Sequence, residues 1–443
     1  MLDLADVQGL VVRGYTMPNA RHLVLRVDSA PRARAFLASL VDGTPDRPQV
    51  TTAVPWAQKP DACLNLSLTP AGLDALGVPE ESLRTFPEEF RQGAAARAEV
   101  VGDVGPSDPS RWRPVFTDPG FHLLLSLFAS SPQALERTTR DLLAGTAPGL
   151  TELDRLDAEL LPARVDHFGY VDGISQPTIE QAPPTGPPDS LPRSPTGSFL
   201  LGHPSAFTGF TYPVPAPDAL GRNGSFAAFR MLAQDVDAFQ EMLAEQSART
   251  GMSEEFLAAK LCGRWRNGTP LVLSPGTDPP APLPPEALND FDYVGAPGDE
   301  RGERCPLGSH IRRMYPRGSQ VAGGGPHKRR IVRRGLTYGP PHDPRRPRDG
   351  QERGVLGLFI GVSLLDQFEF LMAEWAGDGL FAPGLGRSQD PFLSTRDGAV
   401  GTFRLPVPGG RTELTGLPRV VTTRGGAYCF IPSVTAIRHL AGL

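Results

Sequence analysis

His22-Leu23-Val24-Leu25-Arg26-Val27 is an apolar run of strand-forming residues, and the pattern that follows it decides the fold. Beyond Ser29, Phe36, Leu37, Leu40 and Val41 share one helical face of residues 31–41, and Pro31 suits a first helical turn. Ala62-Cys63-Leu64-Asn65-Leu66-Ser67-Leu68 alternates as the next strand. The same grammar recurs in a buried strand at 121–128 and a helix opened by Ser130-Ser131-Pro132, with Leu135, Leu142 and Leu143 on one face. Strand–helix–strand given twice is the ferredoxin-like α+β pattern, an antiparallel sheet with its helices on one side.

Outward from there the grammar returns. A strand at 225–232 precedes a helix at 235–246, an apolar strand at 355–364 runs into 366–375, and strands at 420–423 and 427–431 close the chain. The expectation is therefore α+β, with two ferredoxin-like domains and a long insertion at 247–354 in the second. Six prolines between Gln181 and Gly197 read as a linker or surface loop. These readings divide the chain into 1–165, a connecting loop and linker at 166–200, and 201–443.

A chain of 443 residues with 40% hydrophobic and 21% charged residues has ample core. Its 49 glycines and 48 prolines predict long irregular connections, and a net charge of −5 argues against a nucleic-acid binder. No apolar run of 18 residues exists, so no membrane span is expected. The N-terminus shows no basic segment leading into an apolar one, and the four cysteines are far apart without a CxxC pair. Both features predict reduced thiols and a cytoplasmic location.

Charge is concentrated in one place. Between Arg312 and Arg348 stand ten arginines and Lys328 against a single acid, Asp343. Such a cluster is either a solvated loop or the seat of an anion, and a buried cofactor bearing carboxylates or phosphates is the sharper alternative. No HExxH or other paired metal-ligand spacing appears among the eight histidines. One axial histidine suffices for haem, however. His310 stands in Cys305-Pro306-Leu307-Gly308-Ser309-His310-Ile311-Arg312-Arg313, with small residues before it and arginines after it. A lone histidine is more often an ordinary partly buried side chain. Gly169-Tyr170-Val171-Asp172-Gly173 reads first as a turn, and it would equally hold a carboxylate above a ligand. Phosphate-loop and GxSxG patterns are missing, so nucleotide and serine-hydrolase readings fall away.

Taken with Ile331-Val332-Arg333-Arg334-Gly335-Leu336-Thr337-Tyr338-Gly339, these motifs give a chain that strongly resembles the dye-decolourising haem peroxidases, in their larger subclass, over nearly its whole length. The resemblance implies haem b held mainly by the second domain, with His310 as the proximal iron ligand. It implies Asp172 as distal acid/base, Arg333 (rather than its neighbour Arg334) as distal charge stabiliser, and Asp390 as acceptor of the proximal imidazole N–H. Arg312 is the expected propionate partner, and Leu358 and Ile360 the expected distal lining. Hydrogen peroxide and bulky phenolic or dye-like donors are the implied substrates, with Tyr338 and Trp375 as candidate radical relays. A homo-oligomer is compatible with the sequence.

The chain departs from the family at Tyr315, where Asn is common, at Thr337, where Pro is common, and at Gly335, where some members carry a polar side chain. A haem carrier or sensor with little turnover is the alternative function, and a scaffold without haem a more distant one. Carboxylate acid/base chemistry, with a reference pKa of about 4, predicts an acidic optimum.

Overall fold

The structure, a computed structural model, describes residues 2–44, 47–144, 149–184, 186–187, 190–279, 281, 283–296, 298–386, 388–393, 395, 401–407 and 410–442. Four strands arise from the first half: β1 (Asn19–Val27), β2 (Ala62–Leu68), β3 (Leu123–Ala129) and β4 (Leu150–Glu159). They pair antiparallel in the order β4-β1-β3-β2. The second half supplies β5 (Ser225–Gln234), β6 (Val332–Tyr338), β7 (Gly354–Gly361) and, after a hairpin of β8 (Thr402–Val407) and β9 (Gly410–Thr415), β10 (Val421–Ile431). Here the order is β6-β7-β5-β10, the same ferredoxin-like arrangement with β10 as the fourth strand. This is the expected two-domain α+β fold.

The sequence did not disclose how the two sheets meet. Leu68 of β2 pairs with Phe430 of β10, and Glu159 of β4 pairs with Thr337 of β6, closing one eight-stranded barrel. Each of the two seams is held by its single register pair. Every residue of β3 is buried, because one face of the sheet fills the barrel and the other is covered from outside. The core is the set of Leu, Phe and Val side chains from both halves, among them Leu23, Leu64, Leu125, Phe226, Leu358 and Phe430.

Local chemistry explains the helices. Ser131 caps Pro132–Leu143 by accepting from the Ala134 amide at 3.1 Å, and that helix buries Ala134, Leu135, Thr139 and Leu142 on one face. Asp235 caps Val236–Thr250 in the same way, and Gly251 ends it at φ 71°. Three details differ from expectation. The stretch 247–354 is not wholly an insertion, since it contains β6 and the helices Glu254–Cys262 and His310–Met314. Residues 364–376 form two wide, π-type helical turns. Within the proline-rich stretch the chain is partly packed: Ile179 bridges to Ser194, and Thr196–Ser198 is buried; Pro188 lies outside the described residues. No helix is long and apolar enough to cross a membrane among the described residues.

Candidate active site

His310 begins the short helix His310–Met314, and the residues around it lock that helix in place. Ser309 Oγ donates to the Lys260 carbonyl at 2.6 Å, tying the helix to Glu254–Cys262. Arg313, fully buried, donates to the carbonyls of Trp375, Asp378 and Ser388 at 2.5, 2.9 and 2.8 Å. One guanidinium thus clamps the 375–390 segment against the histidine helix. Burial pulls the Arg313 pKa down to about 10.

The clamp brings Asp390 to His310. Nδ1 of His310 lies 2.9 Å from Oδ2 of Asp390, whose side chain is fully buried. Oδ1 of Asp390 accepts the amides of Phe392 and Leu393, each at 2.9 Å. Burial by itself pushes the Asp390 carboxyl up, but the His310 ring and these amides outweigh it and hold the group below its ordinary value. The ring packs edge-on against Phe392. With Nδ1 engaged, Nε2 is the nitrogen left to bind a metal, and the carboxylate makes that nitrogen a better donor.

His310 borders a cavity of about 370 Å³ that Asp172 and Arg333 also border. Asp172 sits on a turn made rigid by its neighbours: the Asp166 carboxylate accepts the Tyr170 amide at 2.9 Å, and Val165 bridges Val171. Burial raises the Asp166 pKa to about 6. Asp172 Oδ1 accepts the Gly173 amide at 2.6 Å and stands 3.9 Å from Nη1 of Arg333. Arg333 is steadied on the same loop, donating to the Ser175 carbonyl at 2.9 Å and, through its amide, to Gln176 Oε1 at 3.1 Å. Arg334 behaves differently. It is buried and donates to the Leu10 carbonyl at 2.8 Å, and burial lowers its pKa to about 10.

Strand register decides which side chains form the wall. Arg333 pairs with Phe359 and Gly335 with Gly357, so Val355, Gly357 and Phe359 follow the Arg333 face of β7, and all three border the cavity. Leu358 and Ile360 belong to the alternate face and to the barrel core; Leu358 still touches the cavity edge, whereas Ile360 does not border it. Arg312 is also elsewhere. It is buried against Tyr293 at 4.2 Å and donates to Asp299 and to the Cys305 carbonyl. It does not border the cavity, and its role there is structural.

The cationic rim is instead a chain of contacts that the sequence reading missed. Arg317 and Arg330 flank the Tyr315 ring at 5.1 and 4.4 Å, and Arg330 reaches the Gln176 carbonyl beside Arg333. All four side chains border the cavity. The remainder of the wall is largely apolar, with Ile311, Met314, Leu371 and Phe392. Gln234 contributes a buried Oε1 without a protein partner. Neither candidate relay borders the cavity: Tyr338 donates to Glu352 at 3.2 Å, and Trp375 is buried between Phe370 and Phe381. Among the described residues no group of three or more His, Cys, Asp or Glu could hold a bare ion. One histidine, an apolar wall and an arginine rim suit a metal carried inside a flat, carboxylate-bearing macrocycle.

The chain is 31% identical over 413 residues to a multifunctional dye peroxidase from an Amycolatopsis species, covering 85% of this chain and 82% of that protein. A dye-decolorizing peroxidase of Mycena epipterygia is 28% identical over 485 residues, covering 99% and 87%. Among solved structures, a dye-decolorizing peroxidase in complex with 2,6-dimethoxyphenol superposes with a TM-score of 0.84 at 28% identity, covering 100% of both chains. The Auricularia auricula-judae enzyme gives the same TM-score at 26% identity, over 100% of this chain and 99% of its own. No family model matches the chain. A relative above 30% identity across most of both chains, together with this fold, shows that the chain belongs to the dye-decolourising peroxidases, haem oxidoreductases that act on peroxide.

Proposed function

We propose that the cavity binds haem b through His310, and that the chain reduces hydrogen peroxide there while oxidising bulky phenolic or dye-like donors. The observation that carries this reading is one cavity bordered by a carboxylate-backed histidine and by an aspartate and an arginine 3.9 Å apart. Haem supplies the redox chemistry that splits the O–O bond. His310 Nε2 would hold the iron, with Asp390 keeping the imidazole oriented and electron-rich. Arg317 and Arg330 would meet the carboxylates of the macrocycle in place of Arg312.

Asp172 is the acid/base. Peroxide must lose a proton from one oxygen and gain it on the other to leave as water, and a carboxylate on a rigid turn can carry that proton. Arg333 contributes positive charge where the O–O bond polarises. The two groups stand close enough to act on one small molecule. The four cysteines are buried and free, which supports a reducing compartment such as the cytoplasm.

The test is the pH profile of donor oxidation for the wild type and Asp172→Asn. The expected profile favours acid and falls by roughly 10²–10⁴ in the variant, with the haem absorbance retained. An alkaline-peaking profile, or a variant as active as wild type, would remove Asp172 from this role.

A further inference from the structure

Tyr315 borders the same cavity as His310 and Arg333. Its hydroxyl lies 2.7 Å from Nδ1 of His327. Nε2 of the same ring lies 3.4 Å from Oδ2 of Asp292. Asp292 is itself anchored, since its Oδ1 accepts the amides of Tyr293 and Gly318 at 2.6 and 3.0 Å. Oδ2 is thereby left to face the imidazole. The side chains of His327 and Asp292 are 22% and 27% exposed, so the series runs from the cavity outward to solvent.

The backbone is held against its preference to make this series. His327, Arg317 and Arg329 have φ of 57°, 53° and 58°, the left-handed region that a side chain disfavours by about 1–2 kcal/mol. The His327 amide donates to the Arg317 carbonyl at 2.9 Å, which joins two of these strained residues and fixes the imidazole beside Tyr315. Burial lowers the ring pKa, partly opposed by Asp292 and reinforced by the nearby Arg330 and Arg317 guanidinium groups. The guanidinium groups of Arg317 and Arg330 over the Tyr315 ring disfavour its loss of an electron, so a radical formed there would be strongly oxidising.

We infer that Tyr315 is a redox-active side chain whose phenolic proton passes to His327, giving donors too large for the cavity a route to its oxidising equivalents. The inference rests on the haem-peroxidase reading above. Reduction of peroxide at bound haem would take up two electrons. Tyr315 returns one of them; its O–H bond breaks, and the proton moves to Nδ1 of His327, forming an imidazolium held against Asp292. A phenol at the surface then gives an electron to the Tyr315 radical and releases its own proton to solvent. His327 hands its proton back to the tyrosine oxygen. A second such cycle restores the cofactor, so each peroxide consumes two phenols and yields two waters.

The experiment mixes the holoenzyme with one equivalent of peroxide and follows electron paramagnetic resonance and the Soret band together. The wild type, Tyr315→Phe and His327→Gln are compared, with ring-deuterated tyrosine to identify the radical. The expected wild-type result is a tyrosyl signal whose hyperfine structure collapses on deuteration. Tyr315→Phe should lose that signal, and His327→Gln should form it more slowly by roughly tenfold or more. In both variants, oxidation of a bulky dye should fall while the Soret band still responds to peroxide. An unchanged radical and dye rate in Tyr315→Phe, with a normal Soret response, would overturn the relay. A wild type without a Soret band, even after haem is supplied, would overturn the haem reading instead.

Discussion

The two halves of the barrel share a strand order and differ in what they do with polar groups. The first half closes on itself. Arg21 is buried between Asp157 and Glu136, His22 bonds Ser126 at 2.9 Å, and Asn65 is held by Tyr15 and Gln8. None of β1 to β4 borders the cavity. The second half turns polar groups toward the cavity, and its sheet thins to the facing glycines Gly335 and Gly357 at the cavity wall. Connections make the difference. Between β1 and β2 the chain crosses residues 28–61, whereas between β5 and β6 it crosses 235–331 and delivers His310. One sheet grammar has been used once as scaffold and once as the wall of a site.

Substitutions at neighbouring arginines would sharpen that contrast most. Arg333→Leu is expected to slow reaction with peroxide by roughly 10²–10³ without loss of bound haem, as expected when one charged stabiliser leaves. Arg334→Leu removes a donor to the Leu10 carbonyl and should instead lower the melting temperature, at a cost of about 1–3 kcal/mol. Stopped-flow absorbance and thermal unfolding on both variants separate the two effects; a reversed pattern would exchange their roles.

Arg312→Met should act on folding alone. It removes the buried ion-pair partner of Asp299, a change costing about 3 kcal/mol, and haem stoichiometry in the refolded protein should stay at the wild-type value. A variant that folds normally but has lost haem would restore Arg312 to the rim.

His22 gives the scaffold half its own pH signature. Burial lowers its pKa from 6.5 to about 4. The unfolded chain therefore binds more protons than the folded one between those values, so stability is full above pH 6.5 and is lost as pH falls toward 4. His22→Gln should flatten that part of the stability–pH curve by on the order of 2–3 kcal/mol, with the haem spectrum untouched. Equal slopes in denaturant titrations of the two proteins would show that His22 is not the group responsible.

Legibility in the sequence followed the same division. Ala62–Leu68 is read at both of its bounds because its pattern is only about packing. Val332–Tyr338 is hidden inside an apparent insertion, since Arg333, Arg334 and Gly335 disguise a strand whose one face serves the cavity. Barrel closure rests on single register pairs at Leu68 and Glu159, and no local pattern announces those. In the site, motif residues were legible and facing was not. β7 is apolar along its length, so hydrophobicity cannot tell Leu358 from Phe359, and only the register against Arg333 does. Arg312 was misassigned because nearness in sequence stood in for direction, whereas residues two apart on a helix point to different sides.

The central claim, that His310 carries a peroxide-reactive haem, is tested most directly by one absorbance experiment. Spectra of the wild type and His310→Ala are recorded after haem is supplied, before and after one equivalent of peroxide. The account predicts a wild-type Soret band that changes with peroxide and is lost or displaced in the variant. A Soret band indifferent to peroxide, or one that is the same in both proteins, would contradict it.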